Sequence, residues 1–159
     1  MDGLLDLLAK LPPSVLRTEA VKQLAFEQAK KLSANKGIVN LGSGYIRSPF
    51  ASSVAHSPQV KLNVDISSHN LPNFLRWNLE QTPYPFGDKE FDVVFASHVL
   101  EHLRDWSNAL EEMKRIADWV VIAIPHPLDF FAVINPQHKQ HFSSKTISEL
   151  TDINILIYY

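Results

Sequence analysis

The short apolar run Ile38-Val39-Asn40-Leu41 stops abruptly at Gly42-Ser43-Gly44, and this junction constrains the fold more than any other stretch. A run that is apolar at successive positions fits a strand buried on both faces of a parallel sheet. Two glycines one residue apart let the chain turn with φ > 0. Without Cβ atoms they also let a ligand approach the backbone closely. Ser48-Pro49 then reads as a helix N-cap followed by proline at the first helical position. Strand, glycine turn and helix start are the first unit of a nucleotide-type α/β site. A Gly-x-Gly pair alone is a weak signal, and the residues downstream of it give it weight.

The first of these form a second strand, Val60-Lys61-Leu62-Asn63-Val64-Asp65, ending in a carboxylate 21 residues beyond Gly44. An acid at that distance, on the tip of the second strand, is placed to accept hydrogen bonds from ribose hydroxyls. A solvated strand end would explain Asp65 equally simply; the glycine turn at the right distance favours the ribose reading. Residues 66–73 are too few for the helical crossover that parallel strands usually need, so Phe74–Leu79 is expected as a short edge strand reached by a loop. Phe91–Ser97 and Trp119–Ile124 are continuous apolar strands. Between them a helix capped by Asp105 carries a stripe of Trp106, Leu110, Met113 and Ala117. Ser143-Ser144 caps a short helix to Leu150, and Ile153–Tyr159 is a last strand. Ahead of the glycine turn, Val21, Leu24, Ala25 and Leu32 mark a helix from Val15 to about Lys31. Leu4, Leu5, Leu8 and Leu11 suggest an earlier helical piece, either packed on the sheet or serving as a lid or dimer contact.

Strands alternating with helices give an α/β, doubly wound and mainly parallel sheet. The expected division is an N-terminal helical segment, 1–36, packed on an α/β domain, 37–159, as one domain overall. The chain has 159 residues, 45% apolar and 20% charged, enough for a real core. Its formal net charge of −2 argues against a nucleic-acid partner. The absence of cysteine removes disulfides, thiolate zinc sites and a thiol nucleophile. No apolar run approaches transmembrane length, so a cytoplasmic location away from membranes is expected.

Taken together, Asn-Leu-Gly-Ser-Gly (40–44), Asn-Val-Asp (63–65), Asn-Leu-Glu-Gln-Thr-Pro-Tyr-Pro-Phe (78–86), Phe-Asp-Val-Val (91–94), Ser-His-Val-Leu-Glu-His-Leu (97–103) and His-Phe-Ser (141–143) resemble the class I S-adenosylmethionine-dependent methyltransferases of the small single-domain type. The resemblance runs from about Gly37 to Leu150. It implies a Rossmann-like methyltransferase fold and S-adenosyl-L-methionine as cofactor. In the family the glycine turn, here Gly42, Ser43 and Gly44, lies against the methionine part of the cofactor. The acid after strand two, here Asp65 with Ile66 beside it, holds the ribose. The residue after strand three, here Asn78 followed by Leu79, meets the adenine. Ser97 and His98 border the transfer site. Three features depart from the family pattern. Asn40 stands where an acid usually helps hold the ammonium end; it can accept one hydrogen bond but supplies no charge. Ile116-Ala117-Asp118-Trp119 replaces the glycine pair before strand five. The sequence stops after a sixth strand, with the seventh missing. A sheet order of 3-2-1-4-5-6 is then expected, and the uncharged last strand suggests a homodimer or a cover from the leucine-rich N-terminus.

Methyl transfer needs chiefly alignment, and a base only where the acceptor loses a proton. His98 and His126, after strands four and five, are the candidates for that base, with structural roles equally open. His102 reads as bonded to local backbone. His126, His138 and His141 are too loosely spaced to read as a metal cluster, and no metal is expected. Phe130, Phe131 and Phe142 cover the acceptor pocket or the core. The charges from Glu111 to Arg115 read as a solvated helix face. The expected activity is methyl transfer to an unidentified acceptor, most simply a small molecule. The rival is a catalytically degenerate methyltransferase-like binding or scaffold protein. A nicotinamide enzyme fits poorly, because its third glycine would fall at Arg47.

Overall fold

The computed structural model describes residues 13–44, 48–126, 134–150 and 152–159. The chain runs through α1 (Pro13–Leu32), β1 (Ile38–Leu41), α2 (Pro49–Ala55), β2 (Val60–Asp65), β3 (Phe74–Arg76) and β4 (Phe91–Ser97). After a 3-10 turn, Leu100–His102, come α3 (Trp106–Ile116), β5 (Ala117–Ala123), α4 (Ser144–Leu150) and β6 (Ile155–Tyr158). The six strands are all parallel in the order β3-β2-β1-β4-β5-β6, as the sequence leads one to expect. No helix forms between Asp65 and Phe74, and β3 is a three-residue edge strand. The leucine-rich segment 1–11 and the phenylalanines at 130 and 131 lie outside the described residues.

The central strands alternate their side chains between two apolar layers. Val93 and Phe95 face Ala25, Phe26 and Ala29 of α1 and Val54 of α2. Val94 and Ala96 face Leu110, Met113 and Ile116 of α3, with Phe142 and Ile147. Two helical expectations need correction. Leu24, expected in the buried stripe of α1, is 61% exposed. The buried face is Ala25-Phe26-Ala29, because the Phe26 ring packs 5.1 Å from Phe95 and 6.4 Å from Phe50 and buries more area than a leucine could. In α3 the stripe is Ala109, Leu110, Met113 and Ile116; Ala117 already belongs to β5.

That direct passage from helix to strand explains the missing glycine pair. Ala117 leaves α3 in extended backbone. Lys89 supplies what a glycine cap would, since its ammonium donates to the carbonyls of Lys114 and Ala117, both at 2.7 Å, and its N–H to that of Arg115 at 2.8 Å. Arg115 is likewise more than part of a solvated face. It donates to Glu112, Asp88 and the carbonyls of Tyr84 and Phe86, tying the 84–88 turn to α3. The guanidinium beside Glu112 holds that carboxyl below its ordinary range.

Asp92 anchors the entry to β1. Its Oδ2 accepts from the N–H groups of Ala34 and Gly37, each at 2.7 Å, and the residue is buried. Asp92→Ala leaves both amides without that partner at the start of two central strands. A loss of about 1–3 kcal/mol is expected, visible in thermal unfolding as a drop of roughly 2–4 °C per kcal/mol.

Candidate active site

The chain order reverses between β1 and β4, and ligands of doubly wound sheets bind at that switch point, beyond the carboxyl ends of the strands. Here β1 hands over to Gly42 and Gly44 with φ of 65° and 69°, and β4 hands over to His98 with φ of 55°. Left-handed backbone at a non-glycine residue costs on the order of 1–3 kcal/mol and concentrates at functional sites. His98 is held there by its N–H bond to the carbonyl of Ala123 at 2.8 Å.

Between the two strand ends lies a cavity of about 100 Å³ lined by Asn40, Gly42, Ser43, Gly44, Ser97 and His98 from the sheet edge. Lys22 of α1, Ser48 at the N-cap of α2, and Phe50, Ala51 and Val54 of α2 close it, with Phe95 also lining it. The structure therefore brings together six of the residues singled out in the sequence. It adds Lys22 and the apolar wall of α2, which the sequence motifs do not mark. A signal for Lys22 exists in the helical pattern: it shares the face of Ala25, Phe26 and Ala29, a cation on the buried side of an amphipathic helix. Its ammonium lies 3.0 Å from Glu19.

Asp65 sits beside this cavity. Its Oδ2 accepts from the N–H of Gly44 at 2.9 Å and its Oδ1 from that of Ser67 at 2.9 Å. His69 Nε2 stands 3.5 Å from Oδ1. The acid thus fixes the glycine turn directly. A carboxylate offers about four lone-pair sites, so capacity remains for a pair of hydroxyls. Ile66 is exposed, while Asn78 accepts from the N–H of Glu80 at 3.0 Å and Leu79 is buried; none of the three lines the cavity. His126 is also elsewhere, its ring 5.7 Å from that of Tyr159.

Asn40 is a donor here, where an acceptor is expected at the position of the usual acid. Asn63, fully buried, gives both amide hydrogens to the carbonyls of Ala55 and Pro72, at 3.0 and 2.9 Å. Its own carbonyl therefore faces Asn40, whose Nδ2 donates to it at 2.9 Å. His102 also departs from expectation: its Nδ1 meets the carbonyl of Gln137, 35 residues away, at 3.0 Å, so the bond is not local. Phe142 packs in the core edge-on to Trp106.

S-adenosylmethionine fits the groups present at this site. A Cβ built on Gly44 would meet only the carbonyl of Gly42, at 3.7 Å, so open space faces this glycine. The buried Ser43 hydroxyl has no hydrogen-bond partner among the described residues. Lys22 adds a positive group at the same end. The cavity is small against the roughly 300–1,000 Å³ of a whole ligand pocket, so it suits the amino-acid end of a cofactor.

Comparison with known proteins agrees. A family model described as a methyltransferase domain matches residues 39–118, just over half of the chain. Among solved structures, the YcgJ protein of Bacillus subtilis is similar at 18% identity and a TM-score of 0.60, over 82% of this chain and 65% of that one. A SAM-dependent methyltransferase from Archaeoglobus fulgidus is similar at 21% identity and a TM-score of 0.60, over 84% of this chain and 66% of that one. At these identities the likeness is one of fold, and the chain spans about two thirds of the length of each structure. No curated protein matches it. The chain belongs to the methyltransferase-domain family, with the class I fold and S-adenosylmethionine as that family's cofactor.

Proposed function

We propose that the chain transfers a methyl group from S-adenosylmethionine to a small-molecule acceptor. The observation that carries this reading is the Asp65–Gly44 hydrogen bond at the switch point, which fixes the glycine turn to the acid that would hold the ribose. Bound there, the cofactor would supply a methyl group on a sulfonium, a good leaving group that needs no acid catalyst. Asp65 takes the ribose hydroxyls, Lys22 and Ser43 the carboxylate end, and the open face of Gly44 admits the chain between them. Asn78, two residues beyond β3, is the candidate partner for the adenine amino group.

His98 is the base of this reading. His98 borders the cavity, its Nδ1 stands 3.2 Å from a Glu101 oxygen, and its Nε2 is the nitrogen that would take a proton from the acceptor. The modest net charge supports a small acceptor over a nucleic acid. Among the described residues, no helix is long and apolar enough to cross a membrane.

Calorimetry with S-adenosylhomocysteine tests the cofactor half. Asp65→Ala should weaken binding by about 1–3 kcal/mol, that is, about fivefold to 150-fold. Undiminished affinity would place the ligand elsewhere. Acceptor screening with labelled cofactor then addresses the small molecule.

A further inference from the structure

Behind His98 the 3-10 turn buries a carboxylate. Glu101 is 1% exposed, and among the described residues neither of its carboxylate oxygens has a hydrogen-bond partner. His98 Nδ1 stands 3.2 Å from Oε1 but out of line for a hydrogen bond. A buried carboxylate without donors is costly, and such groups are normally paired or bound to a metal. Two further potential ligands stand beside it. One ligand atom each from Glu101, His102 and His138 lie within 4.8 Å of one another, and this is the group among the described residues able to hold an ion. The imidazole rings of His102 and His138 are 4.8 Å apart.

The surroundings suit ligation. A carbonyl can only accept, so the bond from His102 to Gln137 puts the proton on Nδ1 and leaves Nε2 with its lone pair. A histidine whose second nitrogen donates to a backbone carbonyl is the usual supporting arrangement for a metal ligand. The segment carrying His138 is fastened over the turn. The N–H groups of Lys139 and Gln140 both donate to the carbonyl of Glu101, at 2.7 and 3.1 Å, and the Lys139 ammonium reaches Glu80 at 2.8 Å.

We propose that Glu101, His102 and His138 form a binding site for a divalent transition-metal ion. Two imidazoles and a carboxylate suit zinc and its neighbours better than magnesium or calcium, which prefer all-oxygen shells. With bonds of about 2.1 Å, ligand atoms close to roughly 3–4 Å of one another, so the group contracts slightly on binding. Three protein ligands leave a coordination position for water or another oxygen ligand. This site differs from the His126, His138 and His141 grouping considered from spacing alone. The sequence concealed it because Glu101 and His102 meet His138 only through the fold.

Cobalt(II) is the probe, because its visible absorption reports ligation directly. The full chain without an affinity tag should take up one equivalent. Glu101→Gln and His138→Ala should each weaken uptake at least tenfold, with folding checked by circular dichroism. Should Glu101→Gln fail to fold, His102→Gln takes its place, while His138→Ala alters only a half-buried loop residue. A wild-type chain that takes up no cobalt, or uptake that survives either substitution, overturns the assignment. Binding of S-adenosylhomocysteine by the metal-free chain, measured alongside, separates failure of this site from failure of the cofactor reading.

Discussion

Gly44→Val is expected to weaken S-adenosylhomocysteine binding on the order of a hundredfold, close to 3 kcal/mol, while the protein still folds. The two effects separate because of the space around the residue. A Cβ at Gly44 has room within the protein, its nearest neighbour being the Gly42 carbonyl at 3.7 Å. The added isopropyl group would therefore occupy the space through which, in the proposed reading, the cofactor crosses from the cavity to Asp65. Holding φ of 69° with a β-branched side chain costs stability of about 1–2 kcal/mol. Gly42 would make a poorer test, since a Cβ there would lie 2.4 Å from Val99 Cγ2 and disturb the packing itself. Isothermal titration with thermal unfolding in parallel distinguishes lost binding from lost fold. Retained affinity would show that the ligand does not pass this turn.

Asn40→Asp restores the acid usual in the family, yet it is expected to destabilise the protein by about 3 kcal/mol rather than improve the site. The reason is Asn63. Its amide hydrogens are committed to two backbone carbonyls, so its own carbonyl needs a donor from residue 40. An aspartate would set a buried carboxylate against that carbonyl at 2.9 Å, acceptor to acceptor. Thermal melts of Asn40→Asp and of Asn40→Asp with Asn63→Ser check this. The second change removes the opposing carbonyl and introduces a hydroxyl able to donate, so it should recover part of the loss. If Asn40→Asp melts like the wild type, the pairing does not govern residue 40.

The glycine turn, the acid 21 residues later and the central strands were legible because each rests on local chemistry: φ > 0, hydrogen-bond capacity and continuous apolarity; the order of the strands in the sheet came from the family resemblance. The features hidden in the sequence arise between residues far apart along the chain. Asn40 looks like a weakened acid until Asn63 is beside it. Lys89 looks like an ordinary turn residue until it caps α3, 25 residues on. Leu24 and Phe26 compete for one helix face, and only the ring of Phe95 opposite decides between them. Nothing in the spacing of Glu101 marks it as buried, and the segment whose Lys139 and Gln140 N–H groups donate to its carbonyl lies more than 35 residues on.

The most direct test of the central claim is an amide NMR titration of the wild-type chain with S-adenosylhomocysteine, well suited to 159 residues. The account predicts saturable one-to-one shifts centred on Gly42, Ser43, Gly44, Asp65 and His98, with Lys22 of α1 included. No shifts at millimolar ligand, or shifts gathered on the α3 and α4 face instead, would contradict it.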